Sequence, residues 1–128
     1  MHRNFMKLQL AQYAGQNTFT AYGEAYVSVN AIRHTRNLIV LSDQLIPDWT
    51  ASGFEALSTA DFEQLARLDA GIIILGTGNQ LRFPRPELLQ PLMQAQKGLE
   101  VMDIAAACRT YNVLIGEGRK VAAALIFS

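Results

Sequence analysis

The sequence has little of what usually advertises a chemistry. Of its 128 residues one is a cysteine, Cys108. That excludes an intrachain disulfide framework and a Cys-rich zinc site, and it suits a reducing compartment. Histidine occurs twice, at His2 and His34, with no ligand spacing between them, so no metal is expected. Charge is sparse at 17% of residues, and eleven basic side chains balance eleven acidic ones. No net field draws such a chain to nucleic acid or anionic lipid. The longest apolar stretch, Val121 to Phe127, is far too short to span a bilayer, and the basic start Met1-His2-Arg3 is not followed by the apolar core of a signal peptide. The expectation is one cytoplasmic domain over residues 1–128, with no nucleic-acid partner and no membrane insertion.

What is present is an apolar half of the composition, arranged in two textures. Thr18 to Tyr22 and Ala25 to Val29 roughly alternate apolar with polar around Gly23-Glu24, the pattern of a half-exposed β-hairpin. Leu38 to Leu41 follows as an unbroken apolar strand, and Pro47-Asp48-Trp49 marks a loop. Beyond it, strands alternate with helices. Ser58, with Asp61 three residues on, opens a helix over 60–68. Ile72 to Leu75 is a strand, and Pro86 starts a helix whose Leu88, Leu89, Leu92 and Met93 share a face. Leu99 to Met102 is a short strand. Asp103 caps a helix with Ile104, Ala107, Cys108, Tyr111, Leu114 and Ile115 on one stripe, Gly118 ends it, and Val121 to Phe127 is the last strand.

Alternation of this kind predicts an α/β domain whose second half is largely parallel. Runs apolar on both faces need cover above and below. The expected architecture is therefore a three-layer single domain: a central mixed sheet, helices on one side, and the N-terminal hairpin contributing to the other. Leu38–Leu41, Ile72–Leu75 and Val121–Phe127 should be interior strands.

Two features of this chain invite a functional reading. Gly76-Thr77-Gly78 ends the 72–75 strand, where open α/β sheets bind ligands. A dinucleotide fingerprint would need a small residue where Leu81 stands, and a Walker loop would need Gly-Lys-Ser/Thr; neither is complete. The glycines read as a tight turn, or else as a loop touching a ligand. If strand 99–102 runs parallel beside them, the helix start at Asp103 opens onto the same crevice, to which Arg109, Thr110, Tyr111 and Asn112 belong as candidates. Asp103 would occupy the helix amides itself and repel phosphate, so no nucleotide cofactor is expected. Glu100 and Asp103 read as surface carboxylates, His34 as a loop or edge residue, and Cys108 as a small buried hydrophobe. No nucleophile, base and orienting group can be assembled, and no catalytic residue is assigned.

The second feature is an outward helix face that is too bland. Plotted at 100° per residue, Ala105, Ala106, Arg109, Val113 and Gly116 lie opposite the apolar stripe, where charges normally sit. Such a face is expected to lie against other protein, from the same chain or from a partner, including a second copy.

These residues also carry a resemblance. Gly76-Thr77-Gly78, Phe83-Pro84 and Trp49 after Pro47 join a more specific stretch: Met102-Asp103 through Ala106, Arg109-Thr110-Tyr111-Asn112, Leu114, Glu117-Gly118-Arg119 and Ala122-Ala123-Ala124. Together they resemble the small α/β proteins related to mitochondrial complex I assembly factor 3, over nearly the whole chain. The resemblance implies a three-layer domain with a central mixed sheet and a binding or assembly role, with no catalytic residues. The alternative is a small-molecule-binding protein or enzyme using the crevice near Gly76–Gly78 and Arg109–Asn112.

Overall fold

The computed structural model describes residues 15–51 and 53–127. Two sheets and three α-helices organise them. Strands β1 (Phe19–Gly23), β2 (Tyr26–Val29) and β3 (Ile32–His34) form an antiparallel meander in the order β1-β2-β3. Strands β4 (Leu38–Leu41), β5 (Gln44–Pro47), β6 (Ile72–Gly76), β7 (Gly98–Met102) and β8 (Val121–Leu125) form a second sheet in the order β5-β4-β8-β6-β7. Strand β8 runs parallel to β6 and antiparallel to β4, and β6 and β7 are parallel. The sheet is mixed, and the three unbroken apolar runs form its interior.

Their double-faced apolarity has a direct structural use. Ile39, Leu41, Ile73, Leu75, Ala122 and Ala124 enter one core. Their neighbours Leu38, Val40, Ile74, Val121, Ala123 and Leu125 enter the other. A strand period of two sends alternate residues to opposite faces, so each run serves both cores at once. Full burial of one such branched side chain stabilises by roughly 1.5–3 kcal/mol.

The first core lies under α1 (Thr59–Ala66) and α2 (Gln90–Gln94), with Trp49, Phe54 and Leu57. Helix α1 begins in the expected capping box: Ser58 N donates to Asp61 Oδ2 at 2.9 Å, and the Ser58 side chain accepts from the Asp61 backbone. Trp49 is buried and its Nε1 donates to Leu125 O at 3.0 Å, which ties the first core to the central strand. The second core lies between the sheet and α3 (Ile104–Gly116) together with the N-terminal meander, which supplies Phe19, Val27 and Val29. Helix α3 and the meander thus share one side of the sheet.

Some local readings are revised. The expected helix from Pro86 is a 3-10 turn over Pro86–Leu89 followed by the short α2. The tighter winding rotates the later positions, so Leu88 and Leu92 are buried while Met93 is exposed. Of the loop read at Pro47-Asp48-Trp49, Pro47 is instead the end of edge strand β5, a position where proline's missing donor is tolerated, while Asp48 and Trp49 do turn the chain.

Candidate functional site

The parallel pairing of β6 and β7 brings the glycine turn to the start of α3, as the crevice reading requires. The polar groups there are turned on one another. Thr77 is fully buried; its N donates to Met102 O at 2.9 Å and its Oγ1 donates to Gln80 O at 2.7 Å. Arg82 closes the loop, its N donating to Thr77 Oγ1 at 3.1 Å and its Nη2 to Thr77 O at 2.9 Å. Ile104 N donates to Gly78 O, and Ile126 N to Gly76 O, both at 2.9 Å.

The glycines have separate reasons to be there. Gly78 has φ +83°, the left-handed region that glycine enters freely. Gly76 is required by packing: a Cβ there would sit 2.8 Å from Leu125 Cδ2 and 3.2 Å from Ala107 Cβ. Asp103 is the N-cap of α3, its Oδ1 accepting from Ala106 N at 2.8 Å.

The remaining crevice candidates go to two other places. Tyr111 is buried, meets Phe19 edge-on at 5.1 Å between ring centroids, and donates from its hydroxyl to Asn17 O at 2.9 Å. Burial raises its pKa, with the Asp43 charge adding to the effect. Asn112 clamps β1: its Oδ1 accepts from Phe19 N at 2.9 Å while its Nδ2 donates to Phe19 O at 2.8 Å. Arg109 is exposed and donates from Nη1 to Tyr22 OH at 3.1 Å, with its guanidinium carbon 5.9 Å from that ring. These three join α3 to the meander.

Thr110 points the other way, into a groove between α3 and β7 of about 390 Å³ that Ile72, Met102, Leu114, Glu100 and Arg119 also line. Of the proposed helix face, Ala105, Ala106 and Gly116 are half-buried, whereas Arg109 and Val113 are exposed, Val113 by 60%. Cys108 is fully buried, and burial pushes its thiol up to about 12. Among the described residues no group of three or more His, Cys, Asp or Glu side chains is placed to hold a metal, and no helix is long and apolar enough to cross a membrane.

Sequence periodicity did not foresee how much large apolar surface faces solvent. Phe83 is 71% exposed and Met93 68%, with Ile32 and Leu81 also exposed. Phe83 stands in an irregular segment, where no period exists to say which way a side chain turns.

A protein-family profile described as a protein of unknown function (DUF498/DUF598) matches residues 19–126. The chain is 34% identical over 89 residues to mouse NADH dehydrogenase [ubiquinone] 1 alpha subcomplex assembly factor 3, a match covering 68% of this chain and 48% of that protein. The chain thus spans about half the length of that curated relative. An uncharacterised protein of Rhodobacter capsulatus is 32% identical over 115 residues, covering 89% of this chain and 87% of that one. Among solved structures, a Bordetella parapertussis protein superposes with a TM-score of 0.82 at 32% identity, covering 89% of this chain and 98% of its own.

Proposed function

The chain belongs to the family described as a protein of unknown function (DUF498/DUF598), and from that premise we propose that it is a non-catalytic binding or assembly-type protein acting through protein surfaces. The observation that carries the reading is where the polar groups are committed. Thr77, Asp103, Tyr111 and Asn112 all bond to the chain's own backbone. Thr77 and Asp103 do so where a catalytic crevice would need them free, and Tyr111 and Asn112 are turned away from it toward Asn17 and Phe19.

Surface apolarity supports the same reading. The outer face of α3 carries Ala105, Ala106, Arg109, Val113 and Gly116, and Val113 stands open to solvent. A partner packed there gains apolar burial and meets one charge, Arg109. The finer reading follows the mouse relative, which carries the name of an assembly factor for NADH dehydrogenase. On it, this chain attends the assembly of respiratory complex I from the cytoplasmic side.

The test is purification of the tagged chain from its own cells after mild crosslinking, wild type beside Val113→Glu. We expect a stoichiometric protein partner with wild type, its loss in the variant, and equal melting temperatures, since Val113 is exposed. A wild-type chain recovered alone sinks the binding role. Deletion of the gene with undiminished complex I on native gels removes the finer reading and leaves the coarser one.

A further inference from the structure

Among the described residues, strand β7 ends the central sheet, with β6 as its one strand neighbour. Gly98 N donates to Gly71 O and Thr77 N donates to Met102 O, so residues 98 and 102 direct their amide and carbonyl groups toward β6. Alternate residues of a strand face alternate neighbours, so Glu100 does the same. The N–H and C=O of Leu99 and Val101 then point to the open side. The opposite edge, β5, ends in Pro47, one of the residues that blunt an edge. Strand β7 has no proline, and Glu100 is its one charged side chain.

Beside this edge runs the groove of about 390 Å³, with Ile72, Met102 and Leu114 as apolar walls and Glu100, Thr110 and Arg119 as polar ones. Among the described residues neither Glu100 nor Arg119 has an ion-pair partner. A concave apolar surface with a few uncommitted polar groups is the usual form of a binding site. Resting on the protein-binding role above, we propose that β7 receives an extended segment of a partner protein by strand addition. An apolar side chain of the guest seats over Ile72, Met102 and Leu114, and a basic one sits against Glu100. Main-chain bonds to Leu99 and Val101 supply affinity, and the groove supplies selection.

Charge disfavours a second copy as the occupant in the centred register. Antiparallel pairing of two β7 strands about their centre sets Glu100 opposite Glu100, and like charges directly opposite are destabilising. The same carboxylate favours a guest carrying Lys or Arg.

The experiment titrates the isotope-labelled full chain with short capped peptides of alternating Thr and Val whose central residue is Lys or Glu, following backbone amide resonances. Shifts should concentrate on β7, Thr110, Leu114 and Arg119, with the Lys peptide binding about two- to fivefold more tightly than the Glu peptide. Glu100→Lys should reverse that order, and Val101→Pro, which deletes one outward donor, should weaken both peptides. If Val101→Pro fails to fold, the reversal by Glu100→Lys still decides. Peptides that leave the β7 amides unmoved, an order that Glu100→Lys does not change, or dimerisation of the chain through β7 would each overturn the proposal. In cells, a partner lost with Val113→Glu but kept with Glu100→Lys would sink strand addition while leaving the binding role intact.

Discussion

Replacing Asn112 with alanine removes both bonds by which α3 holds β1. The amide side chain acts as one rung of a sheet, accepting from Phe19 N at 2.9 Å and donating to Phe19 O at 2.8 Å. A hydrogen bond of this kind contributes roughly 0.5–1.5 kcal/mol net, so the pair contributes about 1–3 kcal/mol. Alanine is the better helix former by about 0.6 kcal/mol, which offsets part of the loss. The expected destabilisation is about 1.5 kcal/mol, a fall of about 5–9 °C in melting temperature for a chain of this size. Denaturant titration measures the total, and amide exchange places it: protection should fall first in β1 and β2, with β4, β6 and β8 little changed. Asn112→Asp sharpens the argument. The carboxylate accepts from Phe19 N but meets Phe19 O as a second acceptor, so its folded-state pKa is raised above the unfolded value. The penalty is then absent at pH values below the unfolded pKa, grows as pH rises through the folded one, and is complete above it. A loss below about 0.5 kcal/mol for alanine, or exchange rising equally in both sheets, would refute the clamp.

Three further outcomes test other parts of the structure. Gly76→Ala should cost about 1–3 kcal/mol through overpacking against Leu125 and Ala107; thermal melts check it, and an unchanged midpoint means that the two neighbours yield freely. Asp103→Ala should cost about 1 kcal/mol by uncapping α3, with Asp103→Asn retaining most of the stability. Cys108, with its thiol pushed up to about 12, should resist a disulfide reagent at pH 8 until denaturant is added; rapid labelling of the native chain would contradict its burial. The same shift makes stability decline as pH climbs above the ordinary thiol range, because only the unfolded chain then ionises.

Elements with strong local signals were legible in the sequence. The double-faced runs of β4, β6 and β8 could be placed as interior strands from their apolarity alone, and Ser58, Asp61, Asp103 and Gly118 mark helix ends by capping chemistry. Strand β3 could not be read, because Ile32-Arg33-His34 is too short to show a period. Its turn also places Ala31 at φ 69°, a conformation alanine does not advertise. Strand β5 was hidden by Pro47. At the site, the adjacency of Gly76–Gly78 to Asp103 follows from parallel strand order, which the sequence suggested. The direction of Tyr111 and Asn112 toward Phe19 depends on where the meander docks, a contact across more than ninety residues. No local pattern encodes that. The groove beside β7 was invisible for the same reason: its walls come from β6, β7, α3 and the segment after it.

The sheet order also bears on how the protein is made. Strand β8 is the last of the eight described strands to be synthesised, yet it sits between β4 and β6, which have no pairing with each other. Until residues 121–125 emerge from the ribosome, two apolar strands wait with bare edges. At roughly 5–20 residues per second, the interval between β4 and β8 is on the order of ten seconds. Chains halted in that interval present Leu38–Leu41 and Ile72–Gly76 to any strand that passes. They should be the species that chaperones retain and that aggregates recruit, while the finished chain, its centre filled by Val121 to Leu125, escapes both.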